Sequence, residues 1–399
     1  MKRKTPKKSR GPVVLLNSEG PGFQALFAET CCFGLSSGTP SLNSTLVGLG
    51  SVLLDAGREI KWASSLQDIP DDAQTIVTPA VIGYLPFVQS IMQWVPQHIK
   101  KLAFAIPPGL KGTDDRLDEI FDFTAGYYPI PLLARALGVE GTEAFPEFRA
   151  DALPPKPFIP TILCAEGCWA SCMECSWASK AMKPMRWRAA SNTIASLEAM
   201  YDGSSKVVRN LPVYILVAEV DANIRWLREF VKLKQDRLPN LKWVTDVRAD
   251  KVTEEIVELL TYSGCVEVIA SIESCDQAII DSIGRHCNLE EWVRGYKLLK
   301  AARIRCSVPM LWGIDPREDP DASAEWIRKQ EVDPTDLKIG DQGVVGIYNG
   351  TPMWDLAQAG KIPTEKRMVF PAPAEPLLVR QGADEAIAKA RRFRELLGV

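Results

Sequence analysis

The chain alternates short apolar runs with amphipathic stretches, and this pattern predicts an α/β protein. In the first third, strand patterns occur at residues 13–17, 59–63, 75–78, 101–106 and 121–125. Helical spacing of apolar positions predicts helices at residues 42–56, 86–98 and 130–137, the first ending at Gly57, a typical C-cap. These units predict an open, doubly wound, Rossmann-like sheet over residues 12–139, with a ligand site beyond the carboxyl ends of its strands.

A second alternating series follows a proline-rich segment. Residues 140–160 hold five prolines, which predicts an extended linker over residues 140–157. Strands are then predicted at residues 158–163, 213–217, 241–247, 267–272, 305–312 and within 337–348. Amphipathic helices are predicted around residues 191–202, 224–234, 292–302 and 322–330. The series predicts a partial (β/α)6 barrel over residues 158–360, followed by an extension, 361–399, whose helix at 384–397 packs back on the barrel.

Composition narrows the class of protein. The chain has 399 residues, a formal net charge of −3, and 24% charged residues, which argues against a broad nucleic-acid or anionic-membrane surface. No apolar run reaches the ~18 residues of a membrane span. The basic residues 1–11 predict a disordered tail, with a nucleic-acid or partner arm as the alternative. We expect a cytoplasmic protein whose ten cysteines serve metal or redox chemistry rather than disulfides.

The strongest chemical signal is the loop Cys168-x3-Cys172-x2-Cys175, which follows the predicted strand 158–163. Three thiolates at this spacing are able to surround one metal centre, and iron–sulfur clusters and zinc are the usual occupants. A structural zinc site needs four ligands, and Cys164 is the available fourth. A four-iron cluster on three cysteines instead leaves one iron open to a substrate. Cys164 ends the apolar run and looks more like a strand residue than a ligand.

A Cys-x3-Cys-x2-Cys loop after the first strand of an α/β barrel resembles the radical S-adenosylmethionine (SAM) superfamily. The doubly wound domain before it resembles the cobalamin-binding subgroup of that superfamily. The resemblance implies a 4Fe-4S cluster on Cys168, Cys172 and Cys175, a bound SAM, and cobalamin. The Asp-x-His-x-x-Gly motif that supplies a lower cobalt ligand is missing, since no histidine precedes His98. That ligation mode is therefore excluded for the first loop, although some cobalamin-dependent members also lack the motif.

The resemblance also implies which residues contact SAM. An acid after the second barrel strand holds its amino group, so Glu219 or Asp221 has this expected role. Ser271-Ile-Glu273-Ser is similar to the superfamily's Gly-Ile-Glu-Ser-Gly, which implies contacts from Ser271 and Glu273 to the adenosyl part. Arg248 is the expected partner of the carboxylate, and Gly313 begins a loop expected near the adenine. Three positions depart from the common pattern, namely Glu174 and, where the superfamily commonly has glycines, Ser271 and Cys275.

Three functions follow in order of preference. The first is a cobalamin-dependent radical methyltransferase or a related radical enzyme. The second is a radical SAM enzyme without cobalamin, of a methylthiotransferase-like or rearranging type, and the third is a zinc-stapled binding protein that is not an enzyme. The expected partners are a small-molecule or peptide substrate and a flavodoxin- or ferredoxin-like electron donor. The sequence assigns no catalytic side chain.

Overall fold

The computed structural model describes residues 11–16, 43–81, 85–106, 116–126, 129–155, 158–175, 177, 185–339, 344–367 and 377–399. The basic tail predicted over residues 1–11 lies outside this range except for Gly11, as do Cys31 and Cys32. Within the described residues, no helix combines the length and the apolar character that crossing a membrane requires.

The first domain is built on a parallel sheet. Its five strands pair in the order β2-β1-β3-β4-β5. They are β1 (Val13–Leu16), β2 (Ile60–Ala63), β3 (Thr75–Val81), β4 (Lys100–Ile106) and β5 (Phe123–Ala125). The described helices are α1 (Ser44–Asp55), α2 (Leu85–Met92), α3 (Arg116–Ile120) and α4 (Pro129–Ala136).

Both faces of this sheet are covered by helices. Val13 and Leu15 face α1 and α4, whereas Val14 and Leu16 face α2 and α3, as the alternation of side chains along a strand requires. Strands buried on both faces read as continuous apolar runs, which is why the sequence pattern located them. The predicted doubly wound architecture is confirmed, and its first helix has Gly57 beyond its end at a φ of 71°.

A second parallel sheet forms the partial barrel. Its six strands pair in the order β13-β12-β11-β10-β9-β6, so β6 and β13 are open edges. They are β6 (Thr161–Leu163), β9 (Val213–Leu216), β10 (Trp243–Asp246), β11 (Cys265–Ile269), β12 (Arg305–Met310) and β13 (Leu337–Ile339). A short antiparallel pair, β7 (Ala165–Glu166) and β8 (Arg186–Trp187), flanks the cysteine loop. The predicted six-stranded partial barrel is confirmed.

Most helices of the second domain cover the outer face of the barrel sheet, whereas the helix Pro352–Gln358 packs with Ile283 and Ile347 in a separate cluster. The described ones are α5 (Ala190–Gly203), α6 (Lys206–Arg209), α7 (Ile224–Arg237), α8 (Glu254–Tyr262), α9 (Gln277–Ser282), α10 (Leu289–Ala301), α11 (Pro320–Lys329), α12 (Pro352–Gln358) and α13 (Ala383–Leu397). Side chains of α13, including Phe393, join the barrel core, as predicted.

The structure differs from the sequence prediction at several elements, and helices α3, α6 and α8 were not predicted at all. The helix predicted over residues 86–98 ends at Met92, because the chain turns before Pro96, whose ring is incompatible with a helix interior. A small antiparallel sheet was not predicted. Its strands, β14 (Gly346–Ile347), β15 (Thr364–Arg367) and β16 (Leu377–Arg380), are too short and too polar to show a clear alternation.

The segment between the domains packs against the barrel. The guanidinium of Arg188, which is 1% exposed, donates to the carbonyls of Leu163 at 3.2 Å and Pro146 at 2.7 Å. It also lies 5.4 Å and 5.0 Å from the rings of Phe145 and Phe148. One buried cation therefore joins the segment to the first barrel strand.

A direct contact also links the two domains. The hydroxyl of Ser44, at the start of α1, donates to the carbonyl of Thr161 and accepts from the amide of Leu163, both at 3.0 Å. The first domain is thereby held against the edge strand β6 from which the cysteine loop begins.

Candidate functional site

The cysteine loop follows the carboxyl end of β6. Cys168 and Cys172 are buried, Cys175 is half-buried, and all three pack with Ala170 and Ala218 in one small cluster. The Cys168 sulfur accepts a bond from the amide of Ala170 at 3.4 Å. The short spacing thus brings the three side chains to one region, while their role as cluster ligands stays a prediction.

Backbone bonds tie this loop to the rest of the site. The amide of Met173 donates to the carbonyl of Ile283, and the carbonyl of Met173 accepts from the amide of Met353, both at 2.9 Å. Gly284 has a φ of 70°, and a Cβ there would lie 3.1 Å from the carbonyl oxygen of Ser171. A side chain at this position would therefore strain the backbone and crowd the loop.

The three cysteines are typical metal ligands, but their side chains are not arranged in a coordination geometry. Burial raises the pKa of Cys168 and raises that of Cys172 to about 12, so both thiols stay protonated at neutral pH. Among the described residues, no three His, Cys, Asp or Glu side chains converge tightly enough to hold a metal ion. The donor set fits an iron–sulfur cluster or zinc, whose binding would displace these protons.

Cys164 lies apart from the other three. It is fully buried in the barrel core, and its sulfur lies 3.7 Å from the hydroxyl of Thr193. Burial raises its pKa to about 11. The prediction that Cys164 is a structural residue agrees with this position.

Two acids of the loop are also buried. Burial raises the pKa of Glu166 and that of Glu174 to about 7, and the nearby carboxyl of Glu273 adds to the effect on Glu174. One oxygen of each carboxyl has no hydrogen-bond partner within the described parts of the chain. Because a protonated carboxyl carries no charge, these acids oppose an anionic cluster less than their residue type suggests.

Arg248 is the centre of a charged network at the carboxyl ends of β9 and β10. Its guanidinium, 1% exposed, makes two 2.9 Å bonds to the Asp250 carboxylate and one to the carbonyl of His286. It also lies 4.9 Å from the ring of Trp169. The backbone amide of Arg248 donates to Asp221 at 2.8 Å. The guanidinium fork thus faces Asp250, while its expected role toward a SAM carboxylate stays a prediction.

Glu219 and Asp221, the two acids predicted for the amino group of SAM, have different surroundings. Asp221 is engaged by the backbone of Arg248, and burial raises its pKa to about 6. Glu219 lies 3.9 Å from the Arg248 guanidinium, yet its buried Oε2 atom finds no hydrogen-bond partner among the described residues. Burial and the charge of Asp221 raise its pKa to about 7. Glu219 also raises the pKa of Cys168, which places it close to the loop.

Glu273 and Ser271 meet around an arginine that the sequence did not identify. Arg285 donates to the Glu273 carboxylate at 2.7 Å and to the carbonyl of Ser271 at 2.9 Å. Glu273 is buried and has a φ of 65°, a conformation that is rare for a residue with a side chain. Its carbonyl accepts from the amide of Leu311, which joins the ends of β11 and β12. Such strain concentrates at functional sites.

Gly313 lies in the loop after β12, where it was expected. Its amide donates at 2.7 Å to Glu318, whose carboxylate also accepts from the amides of Ile314 and Asp315. Gly313 has a φ of 78°, and a Cβ there would lie 3.3 Å from the side chains of Ala386 and Val344. Glu318 thus shapes this loop, although no sequence motif marked it.

The structure brings most of the predicted residues together at the carboxyl ends of the barrel strands. The contacts of Arg248, Glu219 and Cys168 form one connected group, and Arg285 links Glu273 to it electrostatically. The sequence analysis missed Arg285, Glu318 and a buried pair, Tyr214 and Asp246, on the inner face of the sheet. Only their spacing in three dimensions reveals them.

No protein family and no curated protein sequence matches this chain. Among solved structures, it is similar to the radical SAM methyltransferase TsrM from Kitasatospora setae with tryptophan substrate and a SAM analogue bound. The TM-score is 0.70 at 14% identity, over 97% of this chain and 89% of that one. A structure of TsrM with cobalamin and a [4Fe-4S] cluster bound also gives 0.70, at 13% identity, with the same coverage.

The cobalamin-dependent SAM radical enzyme OxsB, with aqua-cobalamin bound, is also similar. Its TM-score is 0.63 at 14% identity, over 88% of this chain and 61% of that chain. The chain therefore has the fold of these enzymes. At this level of identity, the fold is what the likeness establishes.

Proposed function

We propose that this protein is a radical SAM enzyme that holds a 4Fe-4S cluster on Cys168, Cys172 and Cys175 and cleaves SAM reductively. The observation that carries the proposal is the packing of these cysteines into one cluster at the carboxyl end of the first barrel strand. Active-site groups of α/β barrels lie at this end of the sheet. When bound, the cluster and SAM supply a 5′-deoxyadenosyl radical after transfer of one electron.

The protein's own residues would bind and orient SAM around this loop. Close to Cys168, Glu219 offers a buried carboxyl oxygen that no described residue hydrogen-bonds, which suits an ammonium group better than the engaged Asp221 does. Arg248, Ser271, Glu273 and Gly313 complete the proposed cofactor-binding set. Arg248 is the remaining candidate for the SAM carboxylate, which would then have to share the guanidinium with Asp250.

We further propose that the enzyme uses cobalamin and transfers a methyl group to a small-molecule or peptide substrate. Support comes from the doubly wound domain docked on β6 by Ser44, and from the cobalamin bound by TsrM and OxsB, which share this fold. Bound cobalamin would supply the transferable methyl group. A flavodoxin- or ferredoxin-like protein is the proposed source of electrons.

The test is metal analysis of protein purified without oxygen and reconstituted with iron, sulfide and hydroxocobalamin. We expect equal iron and sulfide, loss of both in Cys168→Ala, Cys172→Ala and Cys175→Ala, and retention of cobalt in these variants. Cys164→Ala is the matched control, because it removes a buried cysteine of the same stretch that lies outside the cluster.

Three other results would each remove part of the proposal. Zinc without iron would replace the radical enzyme by a zinc-stapled protein. Iron and sulfide with production of 5′-deoxyadenosine but no retained corrinoid would favour the cobalamin-independent type. Loss of iron in Cys164→Ala, in protein that stays folded, would make that residue a fourth ligand.

A further inference from the structure

Arg285 lies beside the cysteine loop because the segment that carries it packs on that loop. The amide of Met173 donates at 2.9 Å to the carbonyl two residues before Arg285. A Cβ at Gly284 would lie 3.1 Å from the carbonyl oxygen of Ser171. Met173 and Ser171 are the two neighbours of Cys172 in the chain. The backbone just before Arg285 therefore contacts the loop on both sides of a proposed cluster ligand.

The segment after Arg285 is fixed as well. Gln277, the first residue of α9, donates from its side chain to the carbonyl of Cys287 at 2.8 Å. The same side chain accepts from the amide of Leu289 at 2.9 Å. Because contacts hold the backbone before and after it, Arg285 is placed by the fold.

The guanidinium of Arg285 has one donor that the described residues leave unused. Its Nη1 atom donates to Glu273 at 2.7 Å and its Nη2 atom to the carbonyl of Ser271 at 2.9 Å, and the side chain is 12% exposed. Its Nε atom is buried, and none of the described residues accepts from it. A buried donor without an acceptor is costly, so this N–H group points to an acceptor that arrives with a ligand.

The positive charge of Arg285 acts on the cysteines more strongly than the negative charge of Glu273 does. Burial raises the pKa of Cys172, Arg285 opposes this, and Glu273 has a weaker upward effect. Arg285 also lowers the pKa of Cys168 against burial and the charge of Glu219. Against its own burial, the charges of Glu273 and Cys172 raise the pKa of Arg285, so it stays positive. The ion pair thus presents its positive end to the cysteine loop.

A cation in this position has a direct consequence for a bound iron–sulfur cluster. Uptake of one electron makes the cluster more negative, and the attraction between opposite charges is stronger in a protein interior than in water. Salt screens buried charges little. The reduction potential of such clusters varies with net charge and with hydrogen bonds to the sulfurs. The charge of Arg285 and its unused Nε–H group both favour the reduced form.

We propose that Arg285 raises the reduction potential of the cluster on Cys168, Cys172 and Cys175, and that Glu273 limits this effect by pairing with it. The step concerned is the transfer of one electron from the flavodoxin- or ferredoxin-like donor to the oxidised cluster, in which no bond forms or breaks. This inference rests on the proposed function, because it requires the cluster. It assigns Arg285 to electron transfer and leaves the binding of SAM to other side chains.

The test is a dithionite titration of the reconstituted protein without SAM, followed by the EPR signal of the reduced cluster. The reference potential is the one at which half of the wild-type cluster is reduced. There, Arg285→Gln should lower the ratio of reduced to oxidised cluster about tenfold, which is ~59 mV for a one-electron couple. Arg285→Lys keeps the charge and should restore the ratio to within about threefold of wild type. Glu273→Gln should raise the ratio by less than about tenfold, because its charge acts more weakly on Cys172.

Arg305→Gln is the matched control. Arg305 pairs with Glu267 at 3.0 Å on β12 and β11, the two strands that lead to the Gly313 loop and to Glu273, but at their amino ends. Its loss perturbs the same strands without changing the charge beside the cysteine loop. We therefore expect the potential of this variant to equal that of the wild type, and a shift as large as that of Arg285→Gln would overturn the proposal.

Iron and sulfide content of each sample separates this inference from the proposal of the cluster. Full cluster content with unchanged potentials in Arg285→Gln and Glu273→Gln, or shifts of the opposite sign, would overturn the role of Arg285 and leave the cluster standing. If Arg285→Gln acquires no iron, Glu273→Gln decides the question, because it changes the ion pair and keeps the cation. Wild-type protein that never acquires iron would overturn both proposals.

Discussion

The two parallel sheets of this protein have the same kind of strand–helix connection, but they differ in the polar side chains that they bury. In the described part of the first domain, the buried polar side chains are hydroxyls, those of Ser51, Thr75, Thr78 and Thr124, and none is charged. At the end of the barrel, by contrast, Glu219, Arg248, Asp250 and Glu273 are all buried. Because burying charge is costly unless it is paired, such a concentration marks the part of the fold that is shaped for chemistry.

The contrast also fits the two proposed ligands. SAM carries an amino group, a carboxylate and a sulfonium, which charged side chains recognise. Cobalamin is a large molecule that a doubly wound sheet contacts at the carboxyl ends of its strands. A first domain without buried charge in its described core therefore suits a supporting role, with the ionic chemistry confined to the barrel.

The largest loss of stability is expected from breaking the buried ion pair of Arg248 and Asp250 in the barrel. Arg248→Leu should leave the Asp250 carboxylate, 1% exposed, with only the exposed Lys251 at 3.2 Å as a cation, and destabilise the barrel by about 3–5 kcal/mol. The measurement is the urea midpoint of the barrel's unfolding transition. The double variant Arg248→Leu/Asp250→Leu should recover much of the loss, because it removes both charges.

A surface pair provides the control for that experiment. Arg149 also binds an aspartate with two bonds, to Asp151 at 2.9 Å and 2.8 Å, but in exposed surroundings. Arg149→Leu should change the midpoint little, because water screens exposed ion pairs. Equal effects of the two substitutions would contradict the special role assigned to buried charge in the barrel.

In the first domain, apolar packing should dominate. Changing Leu102, which is fully buried on β4, to Ala should lower the stability of the first domain by about 2–5 kcal/mol. Thr124→Val should be neutral or stabilise the domain by up to ~1 kcal/mol, because no residue in the described part of the chain hydrogen-bonds the buried hydroxyl of Thr124. Urea unfolding of the two variants checks both signs, and strong destabilisation by Thr124→Val would show that the hydroxyl is needed.

A pH dependence should distinguish the barrel from the first domain. Burial raises the pKa of Asp246 from its ordinary value near 4 to about 8, so the folded state holds a proton that the unfolded state releases. The stability that this proton contributes to the folded state is complete below pH 4 and is lost as the pH rises to 8. Asp246→Asn should therefore reduce the loss of stability between pH 5 and pH 8 by roughly 1–3 kcal/mol.

The check is the urea midpoint of ligand-free protein across that range, with Asp122→Asn in the first domain as the control. Asp122 is exposed and lies outside the barrel. A wild-type barrel that gains stability as the pH rises would show that Asp246 is charged in the folded protein.

The smallest loss of stability is expected from removing a helix cap, and it should be the same in both domains. Asn43 and Asn288 cap α1 and α10 by accepting from the amides of Leu46 and Glu291. Replacing either with Ala should cost about 1 kcal/mol, because each change leaves one terminal amide without its acceptor. Thermal unfolding of the two variants provides the comparison. A clear difference between them would mean that one cap has a role beyond its helix.

Local features allowed much of the fold to be predicted. All five strands of the first sheet and all six of the barrel lie where apolar runs predicted them. The end of α1 followed from a nearby residue, since Gly57 lies just beyond it. These signals depend on neighbours within one or two turns, so they are visible in a single sequence.

The pairing of the charged residues was not predictable in the same way. Several partners lie far apart in the chain: Arg248 and the carbonyl of His286 are separated by 38 residues, and Tyr214 and Asp246 by 32. A single sequence gives no distance across such gaps. Arg285 therefore looked like an ordinary helix-end residue until its contacts with Glu273 and Ser271 were visible.

The amino-acid sequence alone was sufficient for the class of fold, the order of its elements and the cysteine loop, because periodicity and short spacings are local properties. The folded chain was needed to distinguish Glu219 from Asp221 and to bring Asp246 to Tyr214. Burial and ion pairing depend on which strands become neighbours. They therefore arise only when the sheet forms.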